Sequence, residues 1–410
     1  MSENAVLFVG GRPESLRFAV ELGLTVVNVQ IPEYSTREDA DRVAATVLID
    51  YTDWPILAAV AGQLAATFGC TRVISMTEPG TVPAARLREH LGLPGNSLHV
   101  SQTLKDKVLM RRALVGSGLA EVPADYYAGA ASLTGFGDRH GYPFVVKPAD
   151  ATASLHVRMV RSPAEAARCS EFADAALHSA EHRYAKVFPL TKFMIEGFID
   201  GPEYSIETLS FDGRHVVVAL TEKLTGTGFV ELGHATPAGL TREQAREAAE
   251  TVTRFLDVIG LRQGPAHTEA KLTPAGWVVV ESHDRPGGDR IIDLVERVHG
   301  INLEQYGVGW PTGRMPAFDV APGPRTTAAT RFLTARPGQV TRIDGTDAAC
   351  SAPGAVAVHV DVQVGAVVPE LRGNWDRIGQ VIATGDDVGQ AMARAADMAS
   401  LIDVHTEEER

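Results

Sequence analysis

Apolar positions recur with two periods along the first hundred residues. AVLFVG (5–10), LTVVNVQ (24–30), ATVLID (45–50) and TRVISM (71–76) are short β-branched runs, while ESLRFAVELG, WPILAAVAGQLAATFG (54–69) and VPAARLREHLGL carry apolar residues at helical spacing. Strands alternating with helices predict a parallel sheet, so residues 1–102 read as an open α/β domain. Gly10 and Gly11 follow the first strand and Gly23 falls at a helix end, but GGRPES is not GxGxxG, and a plain βα turn is expected there.

The pattern resets at TLKDKVLMRRALVGSGLAEVPADYY, an amphipathic helix with basic residues on its polar face that stops at Gly116–Gly118. Over 103–312, β-rich runs at 144–148, 192–199, 203–211, 215–224 and 276–284 are interrupted by helical spacing at 163–179 and 242–259, which predicts α+β construction. WPTGRMPAFDVAPGPR, after Gly309, concentrates Pro and Gly and reads as a linker. A third unit, 325–410, places strands around RFLTA, AVAVHVDV and QVIATG and a helix over DDVGQAMARAADMASLID; its acidic tail HTEEER is expected to be solvated and frayed. The fold class is thus multidomain, α/β followed by α+β.

A chain of 410 residues exceeds one ordinary core, at roughly 150 residues per domain. With 38 Lys and Arg against 51 Asp and Glu, a formal charge of -13 disfavours nucleic acid and anionic membranes as partners. No apolar run is long enough to span a bilayer, and MSENAVLFVGGRPES lacks a basic segment followed by a signal-type stretch, so a cytoplasmic protein is expected. Cys70, Cys169 and Cys350 are far apart and show no CxxC spacing; all three are expected to be buried small apolar residues.

Chemistry concentrates in HTEAKLTPAGWVVVESHDRPGG. Glu269 and Glu281 lie on two apparent strands joined by a turn at Pro274, Ala275 and Gly276, 12 residues apart, and a hairpin can bring both onto one face as oxygen ligands for Mg2+. Period-two spacing projects Glu281, His283 and Arg285 together into the glycine turn at Gly287 and Gly288. A guanidinium beside two metal-bridging carboxylates suits a site handling an acyl phosphate or the terminal phosphate of ATP. Lys107, which begins a helix after Asp106, and Lys147, which ends a strand before Pro148, supply positive charge for phosphates. In FMIEGFIDGPEYSIE, a strand carrying Glu196 leads through Gly197, Phe198 and Ile199 to a turn, a segment able to read an adenine edge.

Lys107, Lys147, the 196–199 segment, Glu269, Glu281 and Arg285 occur in an order and spacing that resembles the ATP-grasp superfamily, and the chain looks like a ligase joining a carboxylate to an amine. Within it the chain is most similar to the L-amino acid ligase (dipeptide-forming) group, through EHLGLPGNSLHVSQTLKDKVLMRRAL, HTE (267–269), RPGG (285–288), VELGHATPA (230–238) and DRIGQVIATG. The likeness runs from about residue 5 to residue 400. It implies that Lys107 and Lys147 contact nucleotide phosphates, that Glu196 and the backbone of Gly197 and Ile199 contact adenine, and that Glu203 lies near the nucleotide. It further implies Mg2+ ligation by Glu269 and Glu281, with Mn2+ able to substitute, and a carboxylate held by Arg285 with the Gly287 and Gly288 amides. His234 and His267 become substrate-pocket candidates through the resemblance. Glu78, at the end of a first-domain strand, is either a ligand-facing group or a helix cap. The substrate pocket is expected between the first domain, a 230–240 loop and the third unit.

Two departures from the family pattern stand out. The phosphate-covering loop, usually rich in Gly and Ser, reads KPADATASLHV, leaving Ser154, Thr152 and small Ala residues; fewer accessible backbone states predict altered closure. His283 stands where the family commonly has Asn, and metal ligation, a bond to substrate or phosphate, and a structural role are all open to it. The expected activity is amide formation through an acyl phosphate with release of ADP and phosphate. The rival readings are a carboxylating or purine-pathway ATP-grasp enzyme and a non-catalytic ATP-binding protein. The apolar α/β surfaces of the first domain suit a symmetric homodimer.

Overall fold

A computed structural model describes residues 4–177, 179 and 185–407. The chain opens with β1 (Ala5–Val9), α1 (Pro13–Glu21), β2 (Thr25–Gln30), α2 (Arg37–Arg42), β3 (Ala45–Leu48), α3 (Trp54–Phe68), β4 (Cys70–Ile74) and α4 (Thr81–Leu91). The four strands form a parallel sheet in the order β3-β2-β1-β4, as the alternating pattern predicts. Helices cover both faces, so β1 is buried along its whole length. The turns after β1 and β4, at Gly10–Arg12 and Thr77–Gly80, open onto the rest of the molecule.

The single amphipathic helix expected next is two, α5 (Leu98–Lys105) and α6 (Lys107–Gly116). Asp106 breaks it with extended backbone (φ -100°, ψ 105°), and its Oδ1 accepts the Val108 and Leu109 amides. An aspartate that caps a new first turn offsets the interrupted ladder, and Lys107 becomes the first residue of α6.

β5 (Ala124–Tyr126), α7 (Ala130–His140), β6 (Phe144–Pro148), β7 (Arg158–Val160), α8 (Pro163–Ala176) and β8 (Phe193–Gly197) make a small antiparallel layer ordered β5-β8-β6-β7. α7 and α8 cover it, burying Phe136, Phe144, Phe193 and Ile195. α8 stops at Ala176; position 178 of the expected helix lies outside the described residues.

The remaining elements are β9 (Glu203–Phe211), β10 (Arg214–Thr225), β11 (Glu231–Thr236), α9 (Arg242–Ile259), β12 (Gln263–Thr273), β13 (Gly276–His283), α10 (Ile291–His299), α11 (Leu303–Gly309), β14 (Thr327–Leu333), β15 (Gly338–Asp344), α12 (Thr346–Cys350), β16 (Ala355–Val360), β17 (Val367–Val368), β18 (Gly379–Gly385), α13 (Val388–Leu401) and β19 (Asp403–Glu407). Eight of the strands form one antiparallel sheet, β13-β12-β9-β10-β11-β14-β18-β16, which continues without a break past the Pro- and Gly-rich segment. α9 starts at a Thr241–Gln244 capping box and buries Ala248, Val252, Phe255, Leu256 and Ile259, one helical stripe, against this sheet.

Three expectations need correction. The 230–240 stretch is not a loop throughout: β11 pairs with β10 on one side and β14 on the other. Its sequence, ELGHAT, has little intrinsic strand preference, and two flanking strands impose the conformation. The tail is not frayed as far as Glu407, because β19 pairs along β15, with Thr406 opposite Val340; residues 408–410 lie outside the described ones. Cys70 and Cys169 are buried, but Cys350, at the end of a short surface helix, is exposed. Among the described residues no helix is long and apolar enough to cross a membrane.

Candidate active site

A cleft of about 650 Å3 lies where the parallel sheet's turns, the small layer and the large sheet meet. That volume is within the range of small-molecule and cofactor sites. The predicted site residues line it, apart from Gly287 and His234, which sit behind its wall.

The β12–β13 hairpin sets the acidic centre. His267 faces His283 and Glu269 faces Glu281 across the two strands, and a bulge follows at Ala270. Directly opposed residues share a face, but between the turn and the bulge the paired residues are an odd number apart, as in Thr273 with Gly276 and Ala270 with Val279, so it is the bulge, not the even spacing read from the sequence, that brings the two carboxylates together. Burial opposes ionisation of Glu281, but Lys107, with Nζ 3.2 Å from Oε2, brings it down to about 2. Burial acts likewise on Glu269, and Lys223, with Nζ 2.5 Å from Oε1, holds it below the usual carboxylate range. The Glu269 charge also raises the cost of ionising Glu281. Two partly buried, ionised carboxylates that repel each other are a fitting donor set for a hard dication such as Mg2+.

Lys223 also lines the cleft, and the sequence reading missed it. Its ammonium, on β10, lies 3.2 Å from Glu203, 2.6 Å from Glu231 and 2.5 Å from Glu269. Burial would discharge it, but Glu231, Glu269 and Glu203 hold its pKa well above the ordinary value. Removing one partner of a buried ion pair leaves uncompensated charge, so Lys223→Met is expected to destabilise the fold by about 3–5 kcal/mol. A lowered urea midpoint would register this; an unchanged midpoint would mean that the ammonium does not hold the three carboxylates together.

On the other wall, Lys147 is the next-to-last residue of β6 and its Nζ lies 2.8 Å from Glu196 Oε2, while Arg111 Nε, on α6, donates to Glu196 Oε1 at 2.7 Å. The Glu196 carboxylate therefore steers Lys147. The Gly197 amide is also committed, donating to Pro123 O at 2.9 Å. Phe198 and Ile199 line the cleft beside them.

The 149–157 loop reaches a glycine-like backbone without glycine: Ala153, Ser154 and His156 have φ of 61°, 55° and 55°. Such residues are strained at about 1 kcal/mol or more each, and neighbouring contacts must hold them there. Lys107 Nζ donates to Ala151 O at 2.6 Å, and the Asn374 amide donates to Ala153 O at 3.1 Å. The absence of glycine thus does not keep the loop from a left-handed path.

Glu78 is not a helix cap: α4 begins at Thr81 with Gly80 at its N-cap and no side-chain cap, and the Glu78 carboxylate lines the cleft. Arg285 Nε donates to Glu78 Oε2 at 2.7 Å and Lys105 Nζ to Oε1 at 3.1 Å, and His283 Nδ1 lies 2.8 Å from Oε2. Burial penalises this carboxylate, yet His283, Lys105 and Arg285 hold it well below its ordinary value. Arg285 also donates through Nη1 to Pro286 O. His234 is buried between Glu231 at 3.3 Å and Asp289 at 3.8 Å, and Arg377 binds Asp289 at 2.6 Å. Gly288 lies open on the cleft wall, whereas Gly287 packs against His267.

Burial opposes charging of His267, but Glu207 and Glu269 on its two nitrogens push it up to about 9 from the ordinary 6.5. A pKa raised by folding stabilises the metal-free protein fully below about pH 6.5, and that contribution is lost as pH rises through about 9. Melting temperatures of the metal-free protein are expected to fall on the alkaline side, with a shallower fall in His267→Asn. An equal slope in the variant would contradict the pairing.

Residues 140–293 match the ATP-grasp domain, 16–95 the ATP-grasp N-terminal domain and 331–407 the L-amino acid ligase C-terminal domain 2. An uncharacterized protein, y4rH, of Sinorhizobium fredii is 27% identical over 373 residues, covering 88% of this chain and 75% of that one. The alanine–anticapsin ligase of Bacillus subtilis is 27% identical over 263 residues, 59% of this chain and 54% of that one, so the match spans about half of that relative. The crystal structure of an L-amino acid ligase from Bacillus licheniformis superposes with a TM-score of 0.83 at 22% identity, covering 99% of both chains. With both its fold and the domains along its length in agreement, the chain belongs to the ATP-grasp superfamily, in its carboxylate–amine ligase family.

Proposed function

We propose that the protein uses ATP to activate an amino-acid-like carboxylate as an acyl phosphate, which an amino group then attacks to give an amide or peptide, ADP and phosphate. The observation that carries this reading is the convergence of Glu269, Glu281, Lys107, Lys147 and Arg285 on one cleft. Mg2+ held by Glu269 and Glu281 would offset charge on the nucleotide's terminal phosphates.

The chain's own groups supply the rest. Lys147, steered by Glu196, and Lys107 offer ammonium groups to phosphate oxygens. Arg285, fixed by Glu78 through Nε, keeps its far edge for the substrate carboxylate and then for the acyl phosphate. Gly288 has open space above its α-carbon, so an anion can approach its amide closely. The 149–157 loop with Ser154 closes over the phosphates and excludes water that would hydrolyse the activated carboxylate. In this reading 103–312 handles the nucleotide, and 1–102 and 325–410 close over the other substrates.

A panel of paired amino acids, scored by ADP release and product mass, tests the proposal. A condensed product formed with stoichiometric ADP supports it. Bicarbonate-dependent ATP turnover without any amine would replace it with a carboxylating reaction. ATP binding without ADP formation across the panel would make the chain a nucleotide-binding protein.

A further inference from the structure

Glu207, His267 and His283 form one row across β9, β12 and β13, with Glu207 opposite His267 and His267 opposite His283. Glu269 and Glu281 form the next same-face row, two residues along each strand. Glu207 Oε1 lies 2.6 Å from His267 Nδ1, and His267 Nε2 lies 3.2 Å from Glu269 Oε1. On the neighbouring strand, Glu78 Oε2 lies 2.8 Å from His283 Nδ1, and His283 Nε2 lies 3.1 Å from Glu281 Oε1. The two rings stack with centroids 6.2 Å apart and planes 18° apart.

We propose that His267 and His283 are positioning residues, the middle links of two matched carboxylate–imidazole–carboxylate chains that hold Glu269 and Glu281 in place for a divalent cation, and that neither ring ligates it. The inference rests on the reading of Glu269 and Glu281 as the cation's ligands. His267 has both nitrogens on carboxylate oxygens and His283 Nε2 is on Glu281 Oε1, while His283 Nδ1 lies 2.8 Å from Glu78 Oε2 without hydrogen-bond alignment, so the nitrogen of each ring nearest the glutamate pair is already committed. Glu207 strengthens the case: it is fully buried, stands off the cleft, and its Oε2 has no hydrogen-bond partner. A buried carboxylate with one partner is costly, and orienting an imidazole behind a metal ligand gives it a function. Gly287 adds a steric constraint, since a β-carbon there would come within 2.9 Å of His267 Nδ1. On Glu269 both Lys223 and His267 engage Oε1, so neither of them occupies Oε2.

Mn2+ bound to the full chain with ADP tests this by pulsed electron paramagnetic resonance, using protein carrying a nitrogen-isotope label in histidine alone. Wild type is expected to bind Mn2+ with no coupling to histidine nitrogen. Glu207→Gln, which lies off the cleft, is expected to weaken Mn2+ about tenfold or more, with ADP affinity in the absence of metal near wild type and a cooperative unfolding transition kept at a lowered melting temperature, since His267 loses the carboxylate that raises its pKa. Histidine nitrogen coupling in wild type would overturn the inference without any variant, and so would unchanged Mn2+ affinity in folded Glu207→Gln. If wild type takes up no Mn2+ that depends on Glu281, the reading of the two glutamates as ligands fails, and the inference with it.

Discussion

Glu281→Gln is expected to abolish amine-dependent ADP release, by about 10³-fold or more, and to leave the fold intact. The scale is that of losing one preorganised charge where the transferring phosphoryl develops its own. Gln keeps the shape of the side chain and a hydrogen-bonding oxygen for His283, and Lys107 keeps Ala151 O as a partner. What disappears is the negative charge that faces Glu269 across the hairpin. The variant should unfold cooperatively in the absence of metal, at a melting temperature lowered by the loss of the Lys107 ion pair, and ATP should still bind between the lysines. Full turnover in a folded variant would remove Glu281 from the metal pair.

The parts of this site that could be read from sequence are those fixed by local period. Glu269 and Glu281 were legible as a hairpin pair because a tight turn joins their strands, although the bulge after Glu269 that puts them on one face was not, and Lys107 was legible because Asp106 signals a helix start. Lys223, Arg111 and Glu207 were not, since each gains its meaning from a partner on a distant element: Lys223 from Glu269 and Glu231, Arg111 from Glu196, Glu207 from His267. A faint signal existed for Lys223, which shares the buried face of β10 with Thr221 in an otherwise apolar alternation. The same limit applied to the fold. The parallel sheet declares itself in continuous β-branched runs, whereas β11, β15 and β19 are polar or Gly-containing and become strands only through their neighbours. The phosphate loop marks a different failure: composition predicts backbone freedom, but contacts from Lys107 and Asn374 can hold alanine and serine on a path usually left to glycine.

Arg285→Ala is expected to separate nucleotide binding from use of the carboxylate substrate. The guanidinium has Nε on Glu78 and Nη1 on Pro286 O, so its orientation is set before any substrate arrives. A preset fork recognises a carboxylate through paired charge-assisted bonds, and its loss should lower kcat/KM for the carboxylate by about 10²–10³-fold. ATP affinity should hardly change, because Lys107 and Lys147 remain and neither depends on Arg285 for a partner. The buried Glu78 still has Lys105 and His283 nearby, so the folded state should survive. Arg285→Lys is the sharper control: an ammonium restores charge beside Glu78 without the planar fork, and should leave most of the kcat/KM deficit in place. If either variant instead loses ATP affinity while the KM for the carboxylate is unchanged, Arg285 belongs to the nucleotide, and the carboxylate must be sought elsewhere on the cleft wall.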